Sequence, residues 1–155
     1  MLLILCLPLQ EYLIDRSGNV LGKSKNSSIP YSAERLLVDF MTFHFRLIRK
    51  SIYNLIPNNK YNTCPISASP ICTQDYDMCL KLSEITGFYH LDKVLYCNRV
   101  HDLDNQKLNY SFIYERTVNI INDALVRRGL SDRYFLNVTP TGRFQIQSIA
   151  QIHAE

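Results

Sequence analysis

The segment MLLILCLP constrains this chain most. Its apolar run is broken by Pro8 after seven residues. A membrane-crossing helix needs about 20, and neither a positive leader region nor a small-residue cleavage site accompanies the run. A run this short and this apolar reads as a buried strand. It is expected to be a strand whose neighbours are missing, which would leave the edges of 1–7 exposed. A buried strand needs a sheet and helices to cover it. At 155 residues the chain suits one domain with one core.

Strands and helices mix along the sequence without strict alternation. DRSGN, 15–19, reads as a turn. SAERLLVDF, 32–40, reads as a short helix that Ser32 caps, FHFRLI, 43–48, as an aromatic-rich strand, and KSIYNLI, 50–56, as a helix stopped by Pro57. Residues 57–72 hold three prolines and read as a long irregular loop. A helix over 75–86 precedes two strands, 87–91 and 93–101, joined by a tight turn near Asp92. Tyr114, Val118, Ile121 and Leu125 recur at helical spacing within 108–128, where Arg127, Arg128 and Gly129 suit the helix end. Two more strands, 133–138 and 143–149, follow. The class is α/β or α+β, with one domain over 1–149 and a tail over 150–155.

Net charge is +3 with scattered basic residues, which argues against a nucleic-acid partner. Five cysteines without a Cys-x-x-Cys pair cannot all pair internally, and a reducing cytoplasm is the expected compartment. No Gly-rich phosphate loop, nucleophile elbow or HExxH motif occurs.

The chemistry concentrates in TQDYDMCLKLSE, 73–84. At about 100° per residue, Met78, Cys79, Leu82 and Ile85 form one apolar face with Asp75 at its middle. Asp77, Lys81 and Glu84 point the opposite way, into water. Asp75 therefore reads as a helix cap, as a proton-accepting carboxylate stabilised by the helix N-terminus, or as both. In LYCNRVH, 95–101, alternation puts Leu95, Cys97, Arg99 and His101 on one face. Arg99 suits phosphate oxygens and His101 suits a divalent metal, unless both simply end a polar strand. His44 and Arg46 form a weaker pair of the same kind, read as structural.

Gln74, Asp75, Tyr76, Asp77 and Met78, followed by Leu95, Tyr96, Arg99 and His101, resemble the C-terminal part of a family 2 glycosyltransferase with the GT-A fold. That family carries an E-D-Y-D-L-like stretch and, about twenty residues on, L-Y-Y-Y-R-x-H. The resemblance spans roughly residues 9–145 and is most specific over 74–101. It implies a partial GT-A domain, a mixed sheet flanked by helices, whose N-terminal nucleotide-binding half is missing. It implies sugar transfer from a nucleotide-diphosphate donor to a glycan or other acceptor hydroxyl, with inversion. Asp75 would be the base, Gln74 and Arg99 substrate contacts, and His101 with Glu11 the ligands of Mn²⁺ or Mg²⁺. The expected place is the cytoplasm, with room for peripheral membrane contact. The competing expectation is a non-catalytic interaction module that keeps the scaffold.

Overall fold

The computed structural model describes residues 3–6, 10–23, 31–39, 46–56, 73–90, 94–100 and 110–152. Among these residues three small sheets and several helices make a mixed α/β arrangement. The first sheet orders strands β4 (Arg46–Leu47), β1 (Leu3–Cys6) and β5 (Gly87–His90). The second orders β3 (Val20–Lys23), β2 (Gln10–Ile14) and β6 (Val94–Arg99). The third is the hairpin β7 (Tyr134–Val138) and β8 (Phe144–Ser148).

The apolar start is a strand, but its neighbours are present. β1 pairs antiparallel with β4 and parallel with β5, so it is the central strand of its sheet and not an exposed edge. The expectation of missing neighbours is corrected because the partners come from far down the chain. β5 and β6 also differ from the expected adjacent pair. β5 joins β1, whereas β6 runs parallel to β2 in the other sheet. The turn near Asp92 lies outside the described residues, as does the whole irregular stretch 57–72.

Local signals account for the remaining elements. In the β2–β3 connection Gly18 adopts φ +90°, and both carboxylate oxygens of Asp15 accept hydrogen bonds from Asn19, each 2.8 Å long. Ser32 Oγ accepts the Arg35 amide at 3.0 Å, as a cap would, but only a 3₁₀ turn, Arg35–Leu37, follows. Helix α1 (Lys50–Tyr53) is short, α2 spans Thr73–Ile85, and α3 spans Tyr110–Arg127. α3 ends as its sequence signals, with Gly129 at φ +63°. The Leu130 amide reaches back to the Leu125 carbonyl and the Gly129 amide to that of Val126, closing the helix end. Residues 150–152, placed in the tail by sequence, continue a short helix α4 (Ile149–Ile152).

The core forms where α2 and α3 meet. Leu36, Leu37, Tyr76, Cys79, Leu80, Ile120, Ile121, Ala124 and Leu125 are buried together. Phe88, Leu136, Phe144 and Ile146 pack against that cluster. On another flank of α2, Leu82 packs with Ile52 of α1. α2 is therefore enclosed on more than one side, which decides the fate of its charged residues.

Candidate functional site

Asp75 lies within the first turn of α2, which begins at Thr73. It is not the cap, since the helix starts two residues before it. Its side chain is 48% exposed, and its Oδ2 is paired with Nη2 of Arg46 on β4. No hydrogen bond to its own first-turn amides holds the carboxylate among the described residues. Arg46 is mostly covered, with its side chain 16% exposed, and its Nη1 also donates to Cys79 Sγ at 3.5 Å. Cys79 stands one turn further along α2 and is buried. Burial works against the charge of Arg46, but Cys79 and Asp75 outweigh it and hold the guanidinium's pKa above the ordinary range. The result is a half-exposed carboxylate at a positive helix end, braced by a covered arginine.

Asp77 corrects the sequence expectation in the opposite sense. The helical projection points it into water, yet it is fully buried. Lys81 Nζ donates to its Oδ2 at 2.7 Å, and Lys81 itself is 8% exposed. Arg127 of α3 brings Nη1 to 4.0 Å from the other oxygen, which makes no hydrogen bond among the described residues. Arg127 also grips Glu84 with Nε and Nη2 at 2.9–3.1 Å. Arg128 donates to the Ala33 carbonyl at 3.0 Å and to Ser83 Oγ at 2.8 Å. A single-helix projection cannot see α3 arriving over this face with matching charge. Conversely Ile85, assigned to the apolar face, is 47% exposed. The two aspartates are inequivalent, as expected, but Asp77 is the dry one.

The other expected site residues lie elsewhere. Arg99 ends β6, is exposed, and donates from Nη1 to the Arg16 carbonyl at 2.7 Å, tying the strand end to the β2–β3 turn. Among the described residues no hydrogen bond or ion pair joins Arg99 to Asp75. Glu11 sits on β2 in register with Tyr96, while Ile14 is in register with Arg99. Paired residues of parallel strands share a face, so Glu11 and Arg99 lie on opposite faces of this sheet. Gln74 is half-buried in the first turn of α2, next to Asp75. His101 lies outside the described residues, as does His44. Among the described residues no three His, Cys, Asp or Glu side chains gather as a metal centre, and of the two expected metal ligands only Glu11 is described.

The residue that sequence reasoning undervalued is Arg46. Its alternation with His44 was visible, but its partner across α2 was not. A covered arginine with no nearby acid in sequence is the signal that points to a long-range carboxylate.

No protein-family model matches the chain. The chain is 32% identical over 117 residues to a chondroitin synthase of Escherichia coli, covering 76% of this chain and 16% of that protein. It is 32% identical over 104 residues to a hyaluronan synthase of Pasteurella multocida, covering 65% of this chain and 10% of that protein. A chondroitin synthase of Pasteurella multocida (strain Pm70) is 31% identical over 98 residues, covering 57% of this chain and 9% of that protein. The chain thus spans 16% or less of the length of these curated relatives. No described helix is long and apolar enough to cross a membrane. The mixed α/β arrangement is compatible with part of a glycosyltransferase domain, and most of this chain is similar to a segment of bacterial synthases of chondroitin and hyaluronan.

Proposed function

We propose that this chain is the C-terminal portion of the catalytic domain of a family 2 glycosyltransferase of the GT-A type. The observation that carries this reading is a combination. The chain is similar over most of its length to synthases of two glycan polymers, and a half-exposed carboxylate stands in the first turn of α2. Chain growth in such polymers is transfer of a sugar from an activated donor to a hydroxyl. In this reading Asp75 takes the proton of the acceptor hydroxyl as that oxygen attacks the anomeric carbon. The new carbon–oxygen bond forms as the bond to the nucleoside diphosphate breaks, with inversion. Gln74 and Arg99 would contact substrate. A divalent metal, Mn²⁺ or Mg²⁺, would offset charge on the leaving diphosphate, with His101 as its expected ligand; Glu11, on the sheet face opposite Arg99, does not fit that set.

The test is calorimetry and transfer with the full chain, a panel of uridine-diphosphate sugars, Mn²⁺ and a glycosaminoglycan oligosaccharide acceptor. Heat on donor addition and elongation of the oligosaccharide are expected. Asp75→Asn should keep the heat and lose elongation by roughly 10²-fold or more. No heat with any of the donors would favour the scaffold as a non-catalytic interaction module.

A further inference from the structure

Arg46 has a place that neither core packing nor surface solvation explains. Its guanidinium is drawn from β4 across the first turn of α2, reaching Asp75 with one nitrogen and Cys79 with another. Asp75 and Cys79 are four residues apart and therefore neighbours on one helix face. Two anchor points one turn apart fix both the position and the plane of the guanidinium. Cys79 is 1% exposed and belongs to the core cluster, so the second anchor is rigid. The contact to Asp75 uses one guanidinium nitrogen and one carboxylate oxygen. Oδ1 of Asp75 keeps no partner among the described residues, on a side chain that is 48% exposed.

We infer that Arg46 is a positioning residue for Asp75, holding Oδ2 so that Oδ1 faces the acceptor hydroxyl. This rests on the glycosyl-transfer reading above and adds to it a second residue and an orientation. A free aspartate samples rotamers at a first-turn position, and only some aim an oxygen at a bound hydroxyl. Pinning one oxygen selects among them before substrate arrives, and a misplacement of about 1 Å costs roughly 10²-fold in rate. A lysine at 46 would supply charge without the flat, two-nitrogen reach that spans Asp75 and Cys79.

The experiment compares wild type, Arg46→Met, Arg46→Lys, Asp75→Asn and the Arg46→Met/Asp75→Asn double variant of the full chain. Donor binding, kcat and KM for transfer to an oligosaccharide are measured, together with the guanidinium ¹⁵N–¹H NMR signals of Arg46. Arg46→Met should lower kcat by roughly 10-fold to 10²-fold with donor KM unchanged, and Arg46→Lys should recover part of that loss. The double variant should be no slower than Asp75→Asn alone, because a positioning residue has nothing to position once its carboxylate is gone. Slowly exchanging guanidinium signals should be present in wild type and lost in Asp75→Asn. An active Arg46→Met at wild-type rate overturns the inference and leaves the transfer reading intact. A loss in the double variant that multiplies the two single losses also overturns it, since the arginine would then act on the scaffold as a whole. A wild type inactive with every donor overturns both, and the NMR signals then assign the ion pair to architecture alone.

Discussion

Lys81 donates its ammonium to the carboxylate of Asp77, 2.7 Å away and one turn back on α2, at a place where the acid has no contact with solvent. An ion pair at this spacing on an open helix contributes a few tenths of a kcal/mol, about 0.3–0.5. Beneath α3 the balance differs, because each charge has already lost its water. Removing one partner would leave an uncompensated buried charge.

Asp77→Ala should therefore destabilise the fold by about 3 kcal/mol, since it leaves Lys81 and Arg127 facing a dry hole. Replacing both Asp77 and Lys81 by leucine should recover most of that loss. Urea unfolding of the three variants measures it. A single variant as stable as wild type would show that water enters this interface freely.

The phenol of Tyr76 is buried and donates to the Leu36 carbonyl at 2.7 Å. Burial, with Asp39 adding to it, pushes the phenol well above its ordinary value of 10.0. A raised folded-state value means stability is fully present below the unfolded value and is lost as pH rises beyond it. Thermal melts should thus fall as pH climbs above 10.0. Tyr76→Phe should remove that part of the alkaline slope while costing about 1–2 kcal/mol near neutrality.

Asp15 gives the acid counterpart. Hydrogen bonds from the Asn19 side chain and backbone hold its carboxyl below the ordinary 3.8. A lowered folded-state value means stability is present above the unfolded value and is lost as pH falls through the folded one. Asn19→Ala should bring the Asp15 titration, followed by carboxyl ¹³C NMR, back toward 3.8, with faster amide exchange in the β2–β3 turn. An unchanged midpoint would mean the turn does not hold its bonds in solution.

Gly129 stands at φ +63° with open space where a Cβ would sit. Gly129→Ala should cost about 1–2 kcal/mol from backbone strain alone. Gly129→Asn, which tolerates this conformation better, should cost less. Chemical denaturation of both variants checks the order.

What could be read from residues alone followed distance along the chain. The hairpin turn at Asp15, the 3.6-residue rhythm of α3 and the glycine that closes it are set by neighbours within a few positions, and all three stand where expected. The fate of Asp77 was illegible because it depends on Arg127, which arrives from another helix. Arg46 was undervalued for the same reason, its acid lying 29 positions on. The neighbours of β1 were hidden in Gly87–His90, too remote for periodicity to reveal. Asp75 was singled out by its helix position and by resemblance, while its pairing with Arg46 could come only from the fold.

The parallel register of Leu3 with Gly87, and of Ile14 with Arg99, carries a consequence for synthesis. During synthesis Leu3–Cys6 leaves the ribosome before Gly87–His90 and waits on the order of seconds for that strand to flank it. Until residue 87 clears the exit tunnel, Leu3–Cys6 has no native strand beside it on that side. Production of this chain should accordingly depend on a holdase such as trigger factor, and slowing translation should lower soluble yield.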